Sequence, residues 1–136
     1  MPSPANYIRP GKRPLSSITP LIASHPNGSL FAILGAAGGS RIITATIQNA
    51  VDILDRGLSA HETLLRRRLH DQLIPNEITL EWGYENGTVE FLKDRGHNVR
   101  WVPPGYSACH AIRALGNGGF EAAGDPRQSD SAGIVF

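Results

Sequence analysis

Ser16 and Ser17 place two hydroxyl groups side by side, close behind Lys12 and Arg13. Paired hydroxyls beside cations suit a carboxylate. Gly38 and Gly39 lie in the stretch Gly35-Ala36-Ala37-Gly38-Gly39-Ser40-Arg41, where an apolar run ends and a helical pattern begins. The first N–H groups of a helix have no partner within it, and the helix dipole favours negative charge there. Glycine lets a ligand come close to that backbone. The combination suits an oxyanion. It is not a phosphate cradle, since neither G-x-G-x-x-G nor G-K-[ST] occurs. Each device also has a plainer reading. The glycines can serve only the backbone angles of a strand-to-helix turn. The serines can hydrogen-bond their own loop.

Other reactive side chains offer less. Cys109 and His110 are a thiol and a base in sequence, but neighbours on a strand point to opposite faces. Arg66-Arg67-Arg68 reads as a solvated face near a helix end, and His70 and Asp71 as structural or solvent-facing groups. The histidines (His25, His61, His70, His97, His110) are scattered and have no identifiable partners. No metal-ligand spacing and no cofactor motif is present, so no metal and no cofactor is expected.

The elements that must carry these residues follow from periodicity. Residues 1–14 contain Pro2, Pro4, Pro10 and Pro14 and read as an extended arm, neither regular helix nor central strand. Such an arm looks like a chain entering from something larger. Ile18 to Ser24 and Leu30 to Leu34 read as two strands joined by His25-Pro26-Asn27-Gly28, where Asn-Gly supplies positive φ. A helix is expected from about Ser40 to Arg56. Ile43, Ile47, Ala50, Val51 and Leu54 share one face, and Thr44, Gln48, Asp52 and Asp55 the opposite one. Gly57 stops it. Ser59-Ala60-His61-Glu62 matches a capping box for a second, short helix. Ile78 to Trp82 reads as a strand and Thr88 to Arg95 as a helix. Asn98 to Val102 reads as a strand halted by Pro103-Pro104. Ser107 to Leu115 alternates, with Ala108, His110, Ile112 and Ala114 on one face. Asn117-Gly118 turns it back along 119–123. The order is hairpin, two helices, strand, helix, strand, hairpin, compatible with one sheet carrying helices. Its open edges need covering.

The 136 residues allow one domain at most. A net charge of +1 argues against nucleic acid as a partner. No apolar run approaches the roughly 20 residues of a membrane span, and no apolar signal core precedes Pro14. The single cysteine excludes an intrachain disulfide.

Two segments resemble the small subunit of the gamma-glutamyltranspeptidase (glutathione hydrolase) family: Pro10-Gly11-Lys12-Arg13-Pro14-Leu15-Ser16-Ser17-Ile18-Thr19-Pro20, and Gly35 to Thr44. Leu73-Ile74-Pro75-Asn76-Glu77 and Asp125-Pro126-Arg127 are similar to later landmarks of the family. The resemblance covers most of the chain but only the C-terminal part of that subunit. It implies an α+β fold, part of an αββα sandwich of the N-terminal-nucleophile hydrolase type, with hairpins and helices on a mainly antiparallel sheet. Residues 1–136 would be a single partial domain. It implies that Gly38 and Gly39 form the oxyanion hole and that Ser16 and Ser17 hold the α-carboxylate of a gamma-glutamyl group. The implied reaction cleaves gamma-glutamyl amides through an acyl-enzyme. The donor would be glutathione or a similar compound, and the acceptor an amino acid, a peptide or water. Where members read Ala-Pro-Arg-Phe-His, this chain departs, with Leu64-Leu65-Arg66-Arg67-Arg68-Leu69-His70 and no proline.

The same resemblance says what is missing. The family nucleophile is a threonine in a Thr-x-His segment upstream of the serine pair, activated by its own α-amino group. None of Thr19, Thr44, Thr46, Thr63, Thr79 and Thr88 stands in such a segment. The expected partners are therefore the large subunit and the N-terminal part of the small subunit. Full-length members are expected at the cell surface, outside the cell or in vacuoles. The alternative is a non-catalytic remnant that binds a carboxylate or another protein.

Overall fold

The computed structural model describes residues 3–136; the first two residues of the expected arm lie outside them. The rest of the arm is exposed and carries one 3-10 turn, Pro4–Asn6, where proline occupies a first-turn position that needs no N–H. Strand β1 (Leu21–Ser24) begins just after Pro20, later than expected, because proline cannot donate to a ladder. It turns at Asn27-Gly28, with Gly28 at φ +83° and the Ser29 amide donating to Asn27 Oδ1. Strand β2 (Leu30–Ala37) then runs further than expected, right up to the glycine pair.

Helices α1 (Arg41–Leu54) and α2 (Ala60–Leu65) follow. The capping box of α2 is formed as expected, Ser59 Oγ accepting from the Glu62 amide and the Glu62 carboxylate accepting from the Ser59 amide. Next come β3 (Leu69–His70), β4 (Ile78–Glu81), α3 (Asn86–Asp94), β5 (Val99–Val102), β6 (Ala108–Ala114) and β7 (Phe120–Gly124). The two-residue β3 has no counterpart in the periodicity, being too short to show one.

The strands form two sheets, not one. Four antiparallel strands pair in the order β1-β2-β6-β7, and a smaller sheet has the order β3-β4-β5. The β4–β5 pair is parallel, with α3 as its crossover. One cross-strand row, Leu21, Leu34, Ala111 and Ala123, faces the helices. With Ala32, Cys109, Ala45, Ile53 and Leu64 it makes the main core. The next row, Ile22, Ile33, Ile112 and Ala122, faces the other way. There Ile22 is 70% exposed, although the tail residue Gly133 lies against Ala122.

Helix α1 turns a different face inward from the one its apolar stripe suggests. Ile42, Ala45, Thr46, Asn49, Ala50 and Ile53 are buried, whereas Ile43, Ile47, Val51 and Leu54 are exposed. Its polar face receives the small sheet. Gln48 brackets β3 with both ends of its amide, donating to the Leu69 carbonyl and accepting from the Leu69 amide. Asp52 gathers Arg56 and Arg66. In β6 the inward residues are Cys109 and Ala111, while His110 and Ile112 point out.

Candidate functional site

The register of the β1–β2 hairpin decides where the two anion-holding devices go. Leu21 pairs with Leu34. The two chains leave the ladder from that end, β1 backwards to Ser17 and Ser16, β2 forwards to Gly38 and Gly39. Both devices therefore belong to one end of the main sheet. Ser17 is partly buried and Ser16 exposed. Ser16 Oγ accepts from the Ile18 amide at 3.1 Å, and the Thr19 hydroxyl donates to the Ser17 carbonyl at 2.8 Å. These local bonds hold the loop's shape and leave the Ser17 hydroxyl without a partner among the described residues.

Gly38 (φ +137°) and Gly39 (φ +60°) make the turn into α1. Their carbonyls accept from the Arg41 and Ile42 amides. Their own N–H groups find no acceptor among the described residues. The two glycines have different surroundings. A Cβ at Gly38 would lie 2.8 Å from the Tyr106 carbonyl oxygen and 3.0 Å from Cα and Cβ of Ser107. A Cβ at Gly39 would meet nothing within 4 Å. Gly38 is thus backed by the β5–β6 loop, and Gly39 opens outward.

Behind that loop lies a buried ion network that the sequence does not reveal. Arg68, expected on a solvated face, has a side chain only 6% exposed. It pairs with Asp125 at 2.7 Å and donates to the Ser107 carbonyl at 3.0 Å. Asp125 also accepts from the Cys109 and Arg127 amides and from the Arg127 guanidinium. Arg127 continues to Glu81 and to the Leu64 and Arg66 carbonyls. Glu81 accepts in turn from the Arg68 amide. The quartet joins β4 of the small sheet to the end of β7 in the large one. Burial works to raise the Asp125 carboxyl, but the Arg127 amide and the Arg68 guanidinium hold it below its usual range. Burial alone would lower the Arg127 guanidinium; Glu81 and Asp125 instead raise it. The signal in sequence was Asp125-Pro126-Arg127, a landmark whose partners are far away along the chain.

His70 does have partners. Its Nδ1 lies 2.9 Å from Thr44 Oγ1 and its Nε2 lies 3.0 Å from Gln72 Oε1. Gln72 donates its own amide N–H to the Ile74 carbonyl, so its Oε1 faces the ring as an acceptor, and the Thr44 hydroxyl also reaches the Arg41 carbonyl at 3.2 Å. The His70–Thr44 contact fixes β3 on α1. Beside it a cavity of about 20 Å³, lined in part by Arg68, His70 and Ser107, has room for a water molecule. Cys109 is fully buried, and that burial pushes its thiol up. His110, on the opposite face, meets Ser131 at 3.1 Å, so the two do not form a pair. Among the described residues no group of three or more His, Cys, Asp or Glu could hold a metal. No described helix is long and apolar enough to cross a membrane.

This arrangement of helices on an antiparallel sheet superimposes on the gamma-glutamyltranspeptidase from Pseudomonas nitroreducens with a TM-score of 0.82 and 32% identity, over 99% of this chain and 70% of that one. The class is thus the N-terminal-nucleophile hydrolase fold, of which the chain holds helices and sheet. The family profile described as gamma-glutamyltranspeptidase matches residues 1–135. A glutathione hydrolase of Aspergillus flavus is 52% identical over 98% of the chain, and a glutathione hydrolase proenzyme of Arthroderma benhamiae is 49% identical over the same share. The chain belongs to the gamma-glutamyltranspeptidase family. It spans 23% of the length of each of these two relatives.

Proposed function

We propose that residues 1–136 form part of an enzyme that transfers or hydrolyses gamma-glutamyl groups, with glutathione or a related compound as donor and an amino acid, peptide or water as acceptor. The observation that carries this reading is the glycine turn. Two free N–H groups stand at the start of a 14-residue helix, on the same sheet end as the serine pair. Gly38 and Gly39 would stabilise the oxygen of the tetrahedral intermediate, and Ser16 and Ser17 would hold the donor's α-carboxylate. The attacking threonine would come from outside this segment, and so would the cover for the bare sheet face around Ile22 and for the α1 stripe. The large subunit and the rest of the small subunit are the proposed cover. On its own the chain has no activated nucleophile and is expected to be inactive.

The test uses the full-length protein carrying this segment and release of a chromogenic amine from a gamma-glutamyl anilide. Gly39→Val is expected to lower kcat by about 10²–10³. Joint replacement of Ser16 and Ser17 by alanine is expected to weaken donor binding by roughly 1.5–3 kcal/mol, and less when the donor's α-carboxylate is blocked. Residues 1–136 alone should release nothing. Turnover by the isolated segment, or an unchanged kcat in Gly39→Val, would count against the assignment.

A further inference from the structure

Resting on that reading, we infer that the β5–β6 loop is the back wall of the oxyanion hole and that Tyr106 and Ser107 are positioning residues for the Gly38 peptide. Three independent contacts converge on this short loop. The first is steric. The Tyr106 carbonyl and the Ser107 Cα and Cβ stand so near Gly38 that no side chain fits between. The Gly38 peptide cannot rotate back toward the loop without moving it. The second is at the start of α1. The Arg41 guanidinium lies over the Tyr106 ring, 4.8 Å from its centre, and ties the loop to the helix whose first turn follows the glycines. The third is buried. Arg68 donates to the Ser107 carbonyl, at 3.0 Å, while held by Asp125. The loop is thus tied on one side to α1 and on the other to the ion network joining the two sheets.

Gly39 has open space beside it, so it can meet a ligand, whereas Gly38 has only the loop behind it. An oxyanion hole works because its donors already point at the charge before it develops. The loop supplies that fixed direction for one of the two. In this role Tyr106 and Ser107 act through Gly38 and not on the substrate directly.

Tyr106 is the residue to change, because it is half-exposed and its removal opens no core. In the full-length protein, Tyr106→Ala is expected to lower kcat by roughly 10- to 100-fold, the scale of a misplaced catalytic group, with KM within about threefold. Affinity for a tetrahedral mimic, a glutamate analogue with a boronic acid at the γ position, should fall in parallel with kcat. Affinity for glutamate itself should not. Tyr106→Phe keeps the ring over Arg41 and should recover kcat. Arg41→Leu, which removes the other half of that contact, should reproduce the loss and serves if Tyr106→Ala does not fold. The inference is overturned if kcat per active site is unchanged, if the loss lies in KM alone, or if mimic and glutamate weaken equally. A wild-type protein that releases no gamma-glutamyl product removes the functional reading as well. An active wild type with an indifferent Tyr106 removes only this inference.

Discussion

At the scale of residues, two glycines adjacent in sequence have separate physical requirements. Gly38 combines positive φ with a backbone contact that excludes a Cβ; Gly39 has positive φ and free space. Gly39→Ala should therefore cost only the left-handed penalty, about 1–2 kcal/mol. Gly38→Ala adds a clash with backbone that cannot swing aside, and should lower the thermal midpoint of the full-length protein clearly further. Equal losses would show that the β5–β6 loop yields easily. Cys109 is a second case. Its thiol is fully buried and its pKa raised by that burial, so little thiolate forms near neutral pH. Reaction with a disulfide reagent at pH 8 should be slow in the folded protein and fast once denaturant is added. Fast labelling of the folded protein would contradict its burial.

At the scale of elements, α1 has three uses around its circumference. Ala45, Ala50 and Ile53 join the core under the large sheet, Thr44 and Gln48 receive the small sheet while Asp52 holds Arg66 at the end of α2, and Ile43, Ile47, Val51 and Leu54 are left to solvent. Hydrophobic periodicity counts apolar positions, so it ranks the stripe as highly as the true inner face. That inner face is diluted by Thr46 and Asn49, which periodicity discounts. The stripe yields a prediction. Ile47 is 54% exposed, so Ile47→Lys should leave the circular dichroism of residues 1–136 unchanged. In the full-length protein the same change should lower the yield of assembled enzyme, because a covered apolar contact would become a buried charge. An unaffected yield would mean that this face stays in water.

At the scale of the whole molecule, the Arg68-Asp125-Arg127-Glu81 quartet holds the two sheets together. Removing one charge of a buried pair leaves its partner uncompensated, at about 3–5 kcal/mol. Asp125→Asn should lose about that much at pH 7, measured by thermal unfolding. The pH dependence follows from the lowered carboxyl of Asp125. Its contribution is complete above the unfolded value, near pH 4, and is lost as pH falls through the lower folded value. The gap between wild type and Asp125→Asn should accordingly be constant from pH 5 to 7 and close below about pH 4. A gap that persists undiminished in acid would exclude Asp125 as its source.

What the sequence determined by itself is whatever depends on near neighbours. The Asn27-Gly28 and Asn117-Gly118 turns, the capping box at Ser59, the helix ending before Gly57 and the strand-to-helix turn at Gly38-Gly39 all come from bonds spanning a few residues. They were legible from residue type and spacing, and the long motifs around Ser16 and Gly38 pointed to the family. What only the tertiary structure decided depends on residues distant along the chain. Two sheets rather than one, the inner face of α1, the outward turn of His110 and Ile112, and the burial of Arg68 were not legible. Arg68 in a run of three arginines carries no local sign that Asp125 waits for it 57 positions later. Periodicity says that a face is apolar but not what it meets, because burial is a property of the partner surface as much as of the strand or helix.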